Sequence, residues 1–214
     1  MKLTNVARVW QRLRADPRAA ILLILALARG VAVVVYYRLV RRGVVIRLPF
    51  YVYHGWVRIS GPGSVFIDRG CLVDVSVFTA LSITTLKSDA RVVIGRNCRM
   101  AGAVIRCAHS VVLEEAVMTG YCLIQDQEMA SAGQHPAAPA EAATSIRIGA
   151  GAWITRQAVL GPASNIGAAA VVGLGSVVYR MAVPPRTVTV GSPVMRSVAI
   201  SGVAAMSLGG SPAS

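Results

Sequence analysis

The sequence predicts a mainly β protein: a single-stranded parallel β-helix carrying an N-terminal helical segment. Three observations predict it. The first is a count of six. Ile148, Ile154, Leu160, Ile166, Val172 and Val178 follow one another at six-residue steps. Four places after each stands a small residue, namely Ala152, Ala158, Ser164, Ala170, Ser176 and Ala182. One place after each stand Gly149, Thr155, Gly161, Gly167, Gly173 and Tyr179. A helix repeats about every 3.6 residues and a flat strand about every two. An aliphatic, a turn residue and a small residue in every six describe stacked coils. The aliphatic fills the interior, the small residue fits where the coil turns, and glycine stands where backbone sterics are severe.

The second observation is a shift of nineteen residues in the middle of the chain. Val92-Val93-Ile94 aligns with Val111-Val112-Leu113, and Val104-Ile105 aligns with Leu123-Ile124. Nineteen is one triangular turn of three sixes with a single inserted residue. The third is composition. Only 14% of residues are charged and 55% are hydrophobic, which suits coils that bury their surfaces against neighbours.

Taken in order, residues 1–50 read as an N-terminal helical segment. Asp16-Pro17 marks a helix start, and Ala19 to Tyr37 is almost wholly apolar, interrupted by Arg29 and Gly30. Its length approaches that of a spanning helix, but an arginine near the middle of a span costs roughly 2.5–3.5 kcal/mol. Both flanks are basic, so loop charge gives no orientation. Three alternatives stand: a helix packed on the domain or on oligomer partners, one lying on a membrane surface, or a true span. Residues 51–182 read as the coil domain, with Gly61-Pro62-Gly63 in an irregular lead-in and a long polar loop from Gln125 to Ser145. Long loops on rigid frames often carry function. Residues 183–214 read as a tail, because Pro184-Pro185 interrupts the count and the last stretch is small and polar.

The 22 Lys and Arg outweigh 9 Asp and Glu, so the surface attracts anions. No nucleic-acid motif is present and the arginines are scattered. Membrane lipid or a cofactor phosphate is the expected anionic partner, and nucleic acid is not. Cys71, Cys98, Cys107 and Cys122 form no CxxC pair and lack zinc-finger spacing to a histidine. Cys98 falls in the small-residue slot after Ile94, so packing is its expected role. A reducing compartment and no cleavable leader complete the expectation of a cytoplasmic protein.

Three stretches then carry a resemblance. They are Ile146-Arg147-Ile148-Gly149 with Ala152-Trp153-Ile154, Gly173-Leu174-Gly175-Ser176-Val177-Val178, and Val183-Pro184-Pro185 through Gly191-Ser192-Pro193. They are similar to the hexapeptide-repeat acyltransferases, in particular bacterial sugar and polysaccharide O-acetyltransferases. The resemblance spans roughly residues 60 to 198. It implies a left-handed β-helix assembled as a homotrimer, with acetyl-CoA as acyl donor in a groove between subunits. It also implies a loop histidine that deprotonates a sugar hydroxyl by general-base catalysis. The basic N-terminal segment would hold such an enzyme at the inner face of the cytoplasmic membrane.

Carried over residue by residue, the catalytic candidates are Asp126, Glu128 and His135. The family's histidine falls on Ala130, or on Glu128 in the shorter alignment, so it is missing here. His135 would be a displaced base and Glu128 a weak one, since its reference pKa of about 4.3 lies below the roughly 6.5 of histidine. His54 and His109 read as packing, surface or loop residues. The cofactor-binding candidates are Trp153, Thr155, Leu174, Tyr179 and Arg180. Trp153 is an outward aromatic suited to a groove or a subunit contact, and Arg180 suits a CoA phosphate. Thr155, Leu174 and Tyr179 replace the family's usual glycine, alanine and threonine. No metal site is expected. Two other readings follow from the same residues: a non-catalytic partner subunit that lost the base, or a γ-class carbonic anhydrase, for which the three histidines are too dispersed.

Overall fold

The computed structural model of the chain describes residues 17–74, 80–127 and 144–199. The six-count becomes three parallel sheets wound from one strand. Sheet 1 contains β1 (Val44–Ile46), β4 (Ser64–Ile67), β7 (Arg91–Ile94), β10 (Ser110–Leu113), β13 (Ile146–Ile148), β16 (Asn165–Ile166) and β19 (Ala182–Val183). Sheet 2 contains β2 (Phe50–His54), β5 (Cys71–Asp74), β8 (Arg99–Met100), β11 (Met118–Thr119), β14 (Trp153–Ile154), β17 (Val171–Val172) and β20 (Thr187–Gly191), closed by β21 (Val194–Ala199). Sheet 3 contains β3 (Trp56–Ser60), β6 (Ala80–Thr85), β9 (Val104–Cys107), β12 (Leu123–Gln125), β15 (Val159–Leu160) and β18 (Val177–Val178). Every rung pairs in parallel with the next except β20 and β21, which are antiparallel.

The counted aliphatics form the interior. Ile148, Ile154, Leu160 and Val172 are fully buried, as are Ala152, Ala158, Ser164 and Ala170 between them. The corners explain the rest of the hexamer. Gly151, Gln157, Ala163, Ala169 and Gly175 all have positive φ, again at six-residue steps. At Gly167 an added Cβ would lie 2.4 Å from the nitrogen of Pro185 in the coil above, so only glycine lets the rungs stack there. The nineteen-residue shift is also realised, with Ile94 opposite Leu113 and Ile105 opposite Ile124. Cys98 is buried, its thiol donating to the Glu114 carbonyl at 3.1 Å.

Two boundaries differ from the expectation. The coil begins not at residue 51 but at Val44, which pairs with Val65. The first rungs escape the count because their steps are longer: Ile46 and Ile67 are 21 residues apart. Nor does the coil end at 182. One residue is lost from the count, so Val183 rather than residue 184 fills the interior, and Ala182 is exposed. Pro184-Pro185 then forms a corner, and β20 continues sheet 2 beside β17.

Helix α1 (Pro17–Val40) closes the N-terminal end of the coil. Pro17 suits the first helical position, where its missing N–H is no loss. Ala26 and Tyr37 are buried, with Val33 and Val34 packed on the core. Gly30 lies so close to the Phe50 carbonyl that a Cβ would fall 1.8 Å from its oxygen. The helix also answers the open edge of the first coil. Ile59 N–H donates to the Tyr37 hydroxyl (2.8 Å), which donates to the Val57 carbonyl (3.1 Å). Arg29 donates to the Tyr53 carbonyl at 2.6 Å, and Arg41 to that of Ile59 at 3.2 Å. These are the unpaired groups an edge strand would otherwise present. One face of the helix is therefore packed on the domain.

Candidate functional site

The outward side of sheet 2 stacks Leu72, Arg99, Met118, Trp153 and Val171 in one register column. At the neighbouring corner Ala101 and Gly120 are small. Gly120 has to be, since a Cβ there would come within 2.9 Å of the Arg156 nitrogen. Between these low positions and the larger side chains around them lies a groove of about 740 Å³. Its lining includes Tyr53, Asp74, Arg99, Met118, Trp153, Thr155, Arg156 and Leu174. Trp153 and Leu174 project outward, 47% and 70% exposed. Thr155 is tied down, its hydroxyl donating to the Val172 carbonyl at 2.8 Å. The groove is thus largely apolar with two guanidinium groups, a mixture suited to a ligand with both a flat apolar part and anionic groups.

Three of the five cofactor candidates, Trp153, Thr155 and Leu174, meet in this groove. The other two do not. Tyr179 and Arg180 follow β18 at the corner between sheets 3 and 1. The Tyr179 ring covers Gly161, where a Cβ would lie 2.6 Å from ring carbon Cδ2. The Arg180 guanidinium sits 5.7 Å from the centre of that same ring. Within one chain the five residues therefore divide between the groove on sheet 2 and the corner between sheets 3 and 1.

Asp126, expected as a catalytic residue, stands inside the coil. It is fully buried, one rung beyond Cys107 at the sheet 3 to sheet 1 corner. Its carboxylate accepts from the N–H groups of Ala108 (2.6 Å), His109 (2.8 Å) and Ser110 (2.9 Å). The Cys107 thiol lies 3.5 Å from Oδ2, and burial followed by the Asp126 charge pushes that thiol up to about 12. A carboxylate engaged by three backbone donors inside the coil is a brace for the turn beneath the long loop. It is withdrawn from solvent. Glu128 and His135 lie outside the described residues.

His54 and His109, expected as packing, surface or loop residues, occupy defined places. His109 stands on the turn that Asp126 braces, its Nε2 3.4 Å from the Lys87 ammonium. His54 Nδ1 lies 3.1 Å from Asp74 Oδ1, and Asp74 lines the groove. A carboxylate that fixes one ring nitrogen leaves the other to exchange protons, the arrangement of an oriented base. Beside it, burial, then Tyr51 and Asp74, raise the Tyr53 phenol above its ordinary range. Among the described residues no group of three or more His, Cys, Asp or Glu could hold a metal ion. Arg99 and Met118 also escaped the sequence reading, although the nineteen-residue shift aligns them.

No protein-family model matches the chain, and no curated protein does. Among solved structures it is similar to a Bacillus cereus protein provisionally named an acetyltransferase. That likeness has 18% identity and a TM-score of 0.46, and covers 73% of this chain and 79% of that one. It is also similar to a mutant of perosamine N-acetyltransferase from Caulobacter crescentus in complex with CoA and GDP-perosamine. There the identity is 18% and the TM-score 0.35, over 71% of this chain and 55% of that one. At these values the likenesses add no argument to the strand pairings above.

Proposed function

We propose that this protein is an acetyl-CoA-dependent O-acetyltransferase acting on a sugar hydroxyl of a bacterial surface polysaccharide or its precursor. The observation that carries the reading is the meeting of Trp153, Thr155 and Leu174 with Arg99 and Arg156 in one groove. The Trp153 indole offers a face to an adenine ring, and the two guanidinium groups offer partners to phosphates. In the reaction the sugar oxygen attacks the thioester carbonyl carbon, the carbon–sulfur bond breaks, and the hydroxyl proton passes through a base to the departing CoA sulfur. Three groups compete for the role of base: His54 held by Asp74, Glu128 and His135. Tyr179 and Arg180 would reach the same ligand from a neighbouring subunit of a homotrimer, since their own corner is not the groove's.

The test is thermal unfolding with acetyl-CoA, followed by detection of released CoA thiol with a sugar acceptor. A ligand at 100 times its Kd stabilises by about 2.7 kcal/mol, and Trp153→Ala should remove the shift. Comparing His54→Ala, Glu128→Gln and His135→Ala then assigns the base, whose loss typically costs 10²–10⁴-fold, roughly. A non-catalytic partner subunit is the second reading, favoured by the absence of histidine at Glu128 and Ala130. It predicts a trimer whose melting ignores CoA.

A further inference from the structure

The face of α1 that points away from the coil has no use in the fold. At 100° per residue, Ile21, Ile24, Ala28, Val31, Val35 and Leu39 share the arc opposite Ala26, Gly30 and Tyr37. Ile24 is 67% exposed and Leu39 81%. Across its most apolar stretch the mean hydropathy reaches 2.4, with 11% of that stretch buried. The one charge within the apolar run, Arg29, turns back to the Tyr53 carbonyl. An apolar strip of this size on a surface marks a contact with something else.

The surroundings say what that something is. Beside the C-terminal half of the helix is a cavity of about 610 Å³, lined by Val34, Arg38, Arg47, Leu48 and Arg69 among others. Arg47 stacks on Phe66 at 5.0 Å and reaches Asp68 at 3.5 Å. From residue 17 to residue 74 the chain carries eight arginines, and Asp68 and Asp74 are its only acids. Trp56, 79% exposed, stands on the same first coil, and tryptophan favours the polar–apolar boundary of a bilayer. A second copy of this end would bring arginines against arginines. An anionic bilayer supplies both the apolar phase and the countercharge.

We propose that the helix-capped end of the coil docks on an anionic phospholipid surface. Helix α1 lies in the plane of the membrane with its outward face in the headgroup–acyl boundary. Arg38, Arg47 and Arg69 take a lipid phosphate in the cavity beside it. The helix does not span, because its other face is fixed to β2 through Gly30 and to β3 through Tyr37, and Arg41 just past its end holds β3 as well. This inference does not depend on the acyltransfer reading.

The experiment is flotation of the full chain with vesicles of phosphatidylcholine alone or of an equal mixture with phosphatidylglycerol. Binding to the mixture and not to phosphatidylcholine is expected. With each basic group near such a surface contributing about 1 kcal/mol, the triple variant Arg38→Gln, Arg47→Gln, Arg69→Gln should bind roughly 100-fold more weakly. Ile24→Ser with Leu39→Ser alters only exposed positions and should also release the protein while leaving its melting curve in place. Equal binding to both vesicles, or to neither, overturns the proposal. So does unchanged binding in both variants. A change of oligomeric mass in the Ile24/Leu39 variant without vesicle binding would show that a second copy covers the helix, and overturns it too.

Discussion

In an Asp126→Ala variant three backbone N–H groups lose their acceptor at once. The donors of Ala108, His109 and Ser110 reach the carboxylate at 2.6, 2.8 and 2.9 Å, and the first lies in fully buried surroundings. A buried donor left without a partner costs about 1–3 kcal/mol, while a part-buried one recovers some of its loss from water. Counting the Ala108 donor in full and the other two at about half, and crediting the charge no longer buried, gives about 3–4 kcal/mol. At about 2–4 °C per kcal/mol for a protein of this size, the melting point should fall roughly 6–16 °C. Asp126→Asn keeps one acceptor oxygen and sets an amide against the other donors, so about half that loss is expected. Circular dichroism melting reads the stability, and hydrogen exchange at residues 108–110 reads its location. The same pair of variants separates brace from catalyst. If Asp126→Asn melts within about 1 kcal/mol of the natural protein and exchange at the turn is unchanged, while thiol release from acetyl-CoA stops, the bracing argument is wrong.

Three further expectations are simpler. Thr119, buried on sheet 2 between Met100 and Ile154, has a hydroxyl with no hydrogen-bond partner among the described residues; Thr119→Val should stabilise by about 1 kcal/mol, visible as a higher melting point. Ala169 is exposed and has a φ of 54°, where asparagine is tolerated better than alanine, so Ala169→Asn should gain about 0.5–1 kcal/mol in a denaturant titration. Glu114 accepts from Arg147 at 2.8 Å and from Ala150 at 3.0 Å. The Arg147 hydrogen bond foremost holds its carboxyl below the ordinary 4.5. A lowered folded value means stability present above the unfolded pKa and lost as pH falls through the folded one. The gap between the natural protein and Glu114→Gln should therefore be full above about pH 5, about 0.5–1 kcal/mol for a partly exposed pair. It should close on further acidification, and a gap that widened in acid would sink the assignment.

The coil was legible wherever side chains repeat without insertions. Ile148 to Val178 could be read because each interior position lies under a corner of fixed length. The sequence then contains the burial, the glycine and the left-handed residue at constant offsets. Val44 to Ser60 could not be read so, because insertions separate each rung from the next and remove the count while leaving the pairing intact. Pro184-Pro185 misled for a related reason. Proline stops a helix or a central strand, but at a solenoid corner its missing N–H costs nothing and its fixed φ helps the turn.

The site was legible only where it touches the regular tract. Trp153, Thr155 and Leu174 were found because they occupy outward or corner offsets of the six-count, and they are the three that meet in the groove. Arg99 and Met118 come from rungs of nineteen that align them with each other, but the long loop separates Met118 from its partner Trp153, so the count does not carry to the groove. Asp126 shows the opposite case. A motif comparison made it an acid of the catalytic loop, yet nineteen residues before it stands Cys107, a buried thiol. The periodicity therefore assigned Asp126 an inward position, and an inward carboxylate persists only if backbone donors surround it. In a solenoid the offset along the chain decides which way a side chain points, and that precedes any question of what its chemistry resembles. The same order bears on His54. No motif marks it, yet two parallel rungs bring it beside Asp74 at the rim of the groove. On the proposed acyltransfer reading, a histidine placed by pairing rather than by motif is the base candidate that the His54→Ala variant tests.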